Sequence, residues 1–297
     1  MKLSIIIVSY NTKELLIDCL KSAQSAIGRQ EETETFVVDN NSEDGTQAEV
    51  KKNFPWVKLI ANRQNLGFSK ANNLALKIAK GEYVLILNPD TVLQKDTLSK
   101  MTEFMDKNPE ISMASCKVEL QSGKLDLDAR RRFPTPWRSF CHFSHLSKIF
   151  KNVNFFSEYY MDDISPNSQH EVDACAGAFM FIRSNVLKKI GFFDEDFFFY
   201  GEDLDLCYRF WENGFKIVYT PITKITHYKG ASSGIKKHSK HLSKISRESK
   251  VKAIKESTRA MELFYKKHYK SKYPFFITKP VLLAIDALTL IRLMRLK

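Results

Sequence analysis

The densest group of residues able to do proton chemistry lies in FFFYGEDLDLCYR, residues 197–209. Four aromatics, Phe197, Phe198, Phe199 and Tyr200, lead into Gly201 and then Glu202, Asp203 and Asp205 before an apolar and polar mixture resumes at helical spacing. The aromatics anchor the segment in a core and Gly201 permits close backbone approach or a φ > 0 turn. Glu202 and Asp203 fall in the first turn of a helix, where the dipole favours negative charge. Carboxylates presented in this way at the mouth of a cleft can take a proton, and one of these two is the candidate base. Ordinary acids at a helix N-terminus would read the same way.

A second set of polar residues gathers where apolar runs end. Asp39 closes one run, and an ionised carboxylate fixed at a strand terminus can accept a hydrogen bond from the N–H of a pyrimidine ring. Asn62, Asn65, Gly67 and Phe68, with Asn72 on the helix that follows, add amides, a glycine and an aromatic face that could hold a nucleoside. No GxGxxG follows the first strand and no GxxxxGK[ST] loop is present, which disfavours a nicotinamide or ATP cradle. Asp90, after Asn88 and Pro89, is placed to bind a hard divalent cation, with a nucleotide pyrophosphate completing the shell as is usual for Mg2+ or Mn2+. The alternative is an Asn-Pro-Asp turn capping the next helix.

The elements that must position these groups alternate. Residues 3–9 form a continuous apolar run suited to a parallel strand buried on both faces, and residues 12–26 carry Leu15, Leu16, Cys19, Leu20 and Ala23 at helical spacing. Strands are expected at 35–38, 57–61 and 83–87, with a helix at 69–79. That alternation predicts an α/β fold, a Rossmann-like doubly wound and mainly parallel sheet, with its ligand crevice at the carboxyl edge.

The charge is unevenly placed. The formal net charge of +12 concentrates in residues 229–272, which hold +11, and residues 273–297 add +3, so residues 1–228 are slightly acidic. The basicity therefore belongs to a C-terminal extension, expected over 231–297 and following a domain at 1–230. That domain divides into a nucleotide half (1–115) and an acceptor and base half (116–230). A basic helix over 246–269 suits an anionic membrane surface, and a second, mostly apolar helix over 281–296 suits the interface or a groove on the body. A solvated helix packed on the domain is the plainer alternative. Nucleic acid is disfavoured as a partner because no recognised module accompanies the charge. Five scattered cysteines without CxxC spacing read as reduced thiols in a cytoplasmic protein, and the short N-terminal apolar run reads as a buried strand rather than a signal peptide. No stretch of about 20 apolar residues predicts a transmembrane helix.

Six motifs in order carry a resemblance: SIIIVSYN at 4–11, VVDNNSEDGT at 37–46, NRQNLGFSKANN at 62–73, LILNPDT at 85–91, CAGAFMFIR at 175–183 and GFFDEDFFFYGEDLDLCYR at 191–209. Over roughly residues 1–230 the chain resembles family 2 glycosyltransferases of the GT-A fold. The NPD variant, RRFP at 131–134 and GEDLDLCYR look most like bacterial rhamnosyltransferases of O-antigen and other surface-polysaccharide assembly. The resemblance implies that Asp39 contacts the nucleotide base, that Ser9, Asn11, Asn41 and Asn88 join the nucleotide-binding set, and that Asp90 is the last acid of the metal-binding motif. Asn88 replaces that motif's first acid, which leaves the site one charge short. His227 matches a histidine that can complete the metal shell, although a lone histidine after a strand is otherwise often structural. Asp203 matches the catalytic base, with Glu202 as a neighbour that could raise its pKa or bind acceptor.

The implied reaction is an inverting transfer from a nucleotide sugar, dTDP-rhamnose or a UDP-sugar, to a hydroxyl of a glycan or lipid-linked acceptor at the cytoplasmic membrane face. Ala176 and Gly177 offer a small-residue floor for the acceptor, or else tight strand packing. Arg132, within Arg130–Arg132, could meet a phosphate, or lie in a solvated linker. A nucleotidyltransferase would want a basic triphosphate loop near the N-terminus, and residues 9–12 offer none. A non-catalytic glycan-binding subunit would have no use for Asp39, Asp90 and Asp203 together.

Overall fold

In the computed structural model, which describes residues 1–28, 32–150, 153, 158–229 and 247–296, the apolar runs become strands as expected. β1 (Leu3–Ser9), β2 (Thr33–Asp39), β3 (Val57–Ala61) and β4 (Tyr83–Leu87) pair in parallel in the order β3-β2-β1-β4. The helices α1 (Lys13–Ala26), α2 (Thr46–Asn53) and α3 (Phe68–Leu76) connect them. β1 and β4 are buried along their whole length, as strands covered on both faces must be. Alternation along β1 splits the core. Ile6 and Val8 join one apolar cluster and Ile5 and Ile7 the other, on opposite faces of the sheet.

The second half makes the sheet mixed. After β5 (Thr91–Leu93), α4 (Thr97–Lys107) and β6 (Ile111–Leu120) come α5 (Pro136–Phe143), α6 (Leu146–Ile149), β7 (His170–Glu171) and β8 (Phe179–Arg183). Then follow α7 (Ser184–Ile190), α8 (Glu202–Glu212) and β9 (Lys216–His227). β8 inserts antiparallel between β4 and β6, β9 runs parallel to β6, and the order is β3-β2-β1-β4-β8-β6-β9-β5, with β7 paired antiparallel to β9 off this path. The α/β class stands, with the parallel character confined largely to the N-terminal half.

Register brings the candidate groups to one edge. Ser9 lies opposite Asp39, Ile7 opposite Leu87, Leu87 opposite Phe179, and His227 opposite both Leu120 and Thr91. The carboxyl ends of β1, β2 and β4 therefore share a rim with the start of β8 and the end of β9.

Two helices follow, α9 (Arg247–His268) and α10 (Phe275–Met294). The basic run at 230–246 that contributes to the expected extension lies outside the described residues. The apolar side of α9, with Ile254, Ala260, Phe264 and Tyr265, is buried, and its last three join the core cluster that contains Phe197 and Tyr208. This side of the basic helix thus packs on the domain instead of meeting a membrane. α10 begins six residues before the expected Val281. Pro280 lies inside it on the exposed side, where water can satisfy the carbonyl left without an N–H partner.

Asp205 corrects the picture of three acids at a cleft mouth. It is fully buried, and its carboxylate accepts from Arg209 Nε at 2.9 Å, His268 Nε2 at 2.8 Å and Lys267 Nζ at 2.7 Å. One acid of α8 is thus the anchor for α9. Burial alone would raise its pKa, but the bonds from His268, Arg209 and Lys267 lower it to about 2. A carboxylate with a folded-state pKa below its unfolded value near 4 stabilises the fold above that value. The contribution is lost as pH falls from about 4 through about 2. Asp205→Asn should therefore cost about 2 kcal/mol at neutral pH, with the gap to the parent closing over that acidic window. Denaturant unfolding of both proteins across the pH range checks this.

Candidate functional site

Asp203 stands in the first turn of α8, which begins after Gly201 at φ 82°. A Cβ on Gly201 would sit 3.1 Å from Ala260 Cβ and 3.2 Å from the Phe197 ring, so the glycine serves both the left-handed turn and the close approach of α9. Asp203 keeps a partly exposed side chain. Its Oδ2 accepts from Arg131 Nη2 at 2.7 Å and its Oδ1 from the Leu204 N–H at 2.8 Å. Each carboxylate oxygen has two lone-pair directions, so capacity remains for an incoming hydroxyl. Glu202 turns inward: it is buried, and its Oε2 has no hydrogen-bond partner among the described residues. Burial, reinforced by the adjacent charge of Asp203, pushes the Glu202 carboxyl well above the usual range. Of the two candidate acids, Asp203 is the one held in ion-paired form next to solvent.

The arginine beside Asp203 is Arg131. Its backbone pairs with Ala174, whose N–H and carbonyl meet the Arg131 carbonyl and N–H at 2.9 Å each. In extended backbone successive side chains point opposite ways. Arg132, expected at the acceptor, therefore turns aside into a two-pronged bond with Asp163, both contacts at 2.9 Å. The RRRF run shows the cluster, but only the non-local pairing with Ala174 distinguishes Arg131 from its neighbour. Gly177 is buried, and a Cβ there would lie 3.3 Å from the Phe68 ring, while Ala176 is half-buried. Gly177 thus meets the loop that carries Asn65 and Gly67, and tight packing accounts for its size.

At the other end of the rim, Asp39 is fully buried at the end of β2. Its Oδ2 accepts from the Ser42 N–H at 3.0 Å and Gln47 Nε2 at 2.8 Å, whereas Oδ1 has no partner among the described residues. A buried acceptor left unmatched is costly, and an N–H of a bound base would match it. Ser9 bonds Thr12 through their hydroxyls at 3.0 Å. Asn11, at φ 52°, donates its N–H to Ser42 Oγ at 2.9 Å and accepts the Glu43 N–H on its Oδ1 at 2.8 Å, and Asn41 is left-handed at φ 68°. Asn62 donates to Asn40 Oδ1 at 2.8 Å, and Asn65 Oδ1 accepts the Gly67 N–H at 2.9 Å. Asn72 donates to the Phe68 carbonyl at 2.9 Å, its buried Oδ1 unmatched among the described residues. These residues shape two adjoining loops. Gln47 and Asn40, which the sequence reading passed over, hold Asp39 and the Asn62–Gly67 loop in place.

Asp90 and His227 come together across the β5–β9 pair, with His227 Nε2 at 3.2 Å from Asp90 Oδ1. His227 Nδ1 meets Asp126 Oδ2 at 2.8 Å, and Lys229 bridges Asp126 and Asp128. Burial alone would lower the His227 pKa, but the carboxylates of Asp90 and Asp126 raise it to about 9. A carboxylate behind a histidine fixes the ring so that its other nitrogen faces a cation, and Asp126 stands in that relation to His227. Among the described residues no group of three or more His, Cys, Asp or Glu side chains is arranged to hold a metal. The pair nonetheless fits a divalent ion that takes one carboxylate, one imidazole and a ligand's phosphate oxygens. Asn88 is half-buried and contributes backbone: its N–H donates to the Ala178 carbonyl at 3.3 Å, and its own carbonyl accepts from Thr91 Oγ1 at 2.7 Å. Asp126 was not singled out in the sequence because its partners lie about a hundred residues away. The acidic spacing of DLD at 126–128 was the available signal.

Residues 4–191 match the family described as glycosyl transferase family 2. The chain is 26% identical over 231 residues to rhamnosyltransferase WbbL of Escherichia coli (strain K12), covering 75% of this chain and 82% of the relative. It is equally 26% identical over 243 residues to the N-acetylglucosaminyl-diphospho-decaprenol L-rhamnosyltransferase of Mycobacterium tuberculosis (strain ATCC 25618 / H37Rv), covering 78% of each. Among solved structures it is similar to the mannosyltransferase PcManGT from Pyrobaculum calidifontis in complex with GDP-Man and Mn2+, at TM-score 0.58 and 17% identity over 99% of this chain and 72% of that one. It is also similar to Staphylococcus aureus TarS 1-349, at TM-score 0.57 and 18% identity over 100% of this chain and 90% of that one.

Proposed function

The chain belongs to glycosyl transferase family 2, and from that premise we propose that it moves rhamnose from dTDP-rhamnose to a hydroxyl of a lipid-linked glycan. The transfer would invert the anomeric centre and serve surface-polysaccharide synthesis, such as O-antigen assembly, at the cytoplasmic face of the membrane. A transferase of this family needs a nucleotide subsite, a phosphate subsite and a base within one crevice. The observation that carries the proposal is the shared rim. Strand register sets Asp39 and the Asp90–His227 pair at one edge of the sheet, and the Arg131–Ala174 pairing brings the Asp203 ion pair to the lead into β8, at that same edge. The rhamnosyltransferase names of the two relatives favour rhamnose over a UDP-hexose, and the mycobacterial name points to a diphospho-polyprenol-linked sugar as the acceptor class.

Asp203 takes the proton of the acceptor hydroxyl as its oxygen bonds to the anomeric carbon from the face opposite the nucleotide. The bond from that carbon to the diphosphate oxygen breaks, and the electron pair leaves with the nucleoside diphosphate. Arg131 keeps the base aimed between turnovers through its 2.7 Å bond to Asp203 Oδ2, and Asp39 holds the pyrimidine. Asp90 and His227 would hold Mg2+ or Mn2+, which supplies Lewis-acid stabilisation of the charge on the departing diphosphate.

Release of nucleoside diphosphate from a panel of dTDP-, UDP- and GDP-sugars, with either metal and a membrane extract as acceptor source, tests the reading. Turnover of dTDP-rhamnose above the others is expected. Failure of the folded protein to bind any of these nucleotides would overturn it. Asp39→Asn replaces one acceptor oxygen with a donor, and the affinity for the nucleoside diphosphate is expected to fall about tenfold to a hundredfold in titration calorimetry.

A further inference from the structure

α10 has two sides. The inner side packs on α9: Tyr265 Oη lies 3.1 Å from Thr278 Oγ1, and Arg292 Nη1 donates to Ser257 Oγ at 3.1 Å. On the outer side Phe276, Pro280, Leu283, Ala287, Leu290 and Met294 are all exposed. Their spacing of four, three, four, three and four residues puts them on one stripe, which at 1.5 Å per residue is about 27 Å long. Phe276 is 74% exposed and Leu283, Leu290 and Met294 are 58%, 62% and 60% exposed, values a packed helix would not leave. Exposed apolar surface of this extent marks an interaction site.

Charge selects the occupant. Lys270 and Lys279 are exposed at one end of the helix and Arg295 at the other, against Asp286, also exposed, as the only acid of α10. Residues 229–272 and 273–297 are both net basic, whereas residues 1–228 are slightly acidic. Two copies meeting through this stripe would bring like charges together, while an anionic leaflet attracts each basic side chain near it. Among the described residues no helix is long and apolar enough to cross a membrane, so a bilayer would be met lengthwise. A second exposed aromatic pair, Trp137 and Phe140 with ring centroids 5.8 Å apart, stands on α5. Ring contacts connect that helix to the turn between α9 and α10: the centroid of Phe133, three residues before α5, lies 4.8 Å from that of Tyr208, which lies 5.7 Å from that of Tyr269.

We propose that the stripe Phe276–Leu283–Leu290–Met294 of α10 lies in the surface of an anionic lipid bilayer, held by the basic residues at both helix ends. Because α9 is clipped to α8 through Asp205, docking by α10 holds the candidate base at a fixed distance from the membrane, where a lipid-linked acceptor is found. The inference stands apart from the transferase reading: vesicle binding is read without nucleotide, and nucleotide turnover without vesicles.

Flotation of the full chain with phosphatidylcholine vesicles, with and without phosphatidylglycerol, is the test, run beside the double variant Leu283→Glu/Leu290→Glu. The parent should float with the anionic vesicles and release in high salt, and the double variant should bind on the order of a hundredfold more weakly. Both residues are exposed, so its melting temperature should match the parent. If it does not, Lys270→Glu/Lys279→Glu supplies the same comparison through charge alone. No flotation of the parent, or equal flotation of a folded variant, overturns the proposal. So does light scattering that finds the parent a dimer and the variant a monomer, since the stripe would then be a self-interface.

Discussion

Asp203→Asn is expected to lower kcat about a thousandfold while leaving nucleotide affinity within about twofold of the parent. The amide has the same shape, and its one carbonyl oxygen can keep the bond from Arg131, while the Leu204 N–H, a first-turn donor of α8, loses its side-chain acceptor. What the amide lacks is the basicity to take the acceptor proton. Two neighbours make the experiment discriminating. Glu202 is buried with its pKa raised, and Asp205 is fully engaged by Arg209, Lys267 and His268, so neither is free to substitute as base. Steady-state kinetics with saturating acceptor, together with calorimetric nucleotide binding, separate lost chemistry from lost binding. A residual rate within tenfold of the parent would assign the proton to another group.

Gly67→Ala is expected to destabilise the fold by about 3 kcal/mol and to weaken catalysis at the same time. Gly67 has φ 81°, and a Cβ there would fall 2.4 Å from the Phe198 carbonyl oxygen and 2.7 Å from its ring. That carbonyl also accepts the Phe68 N–H at 2.7 Å, so the clash lies on the seam between the Asn62–Gly67 loop and the aromatic run that leads to Asp203. Backbone cannot swing away as a side-chain tip can. Gly45 provides the comparison: its φ is 85°, but nothing lies within 4 Å of the added carbon. Gly45→Ala should cost only the left-handed penalty of about 1 kcal/mol. Thermal unfolding of the two variants, with the Gly67 midpoint falling by about 6 °C and the Gly45 midpoint by about 2 °C, isolates the steric contribution from the dihedral one.

The difference between what was legible in the chain and what was not follows sequence separation. β1 and β4 and their burial are local facts, written in unbroken apolar runs, and Leu3–Ser9 and Tyr83–Leu87 emerge with the expected bounds. The alternation of strand and helix fixed the parallel half for the same reason. The insertion of β8 between β4 and β6 rests on register over many residues and leaves no local trace. Within the site, Asp39, Asp90, Asp203 and His227 are visible as polar residues where strands end or a helix begins. Their partners are not: Arg131 meets Asp203 across 72 positions and Asp126 meets His227 across 101. Asp205 was misjudged because its burial depends on α9, 63 residues away at His268. The basic helix was legible as a helix, but its composition alone could not tell that its apolar side would be spent on the domain.

The anomeric configuration of the product tests most directly whether one carboxylate drives a single displacement. Proton NMR of the glycoside made from the donor that turns over reads it from the coupling at the anomeric carbon. Inversion relative to the donor is the expected result, since in the proposed mechanism Asp203 activates the acceptor and the sugar is attacked once. Retention would require two displacements or attack from the leaving-group face, and would contradict the role given to Asp203.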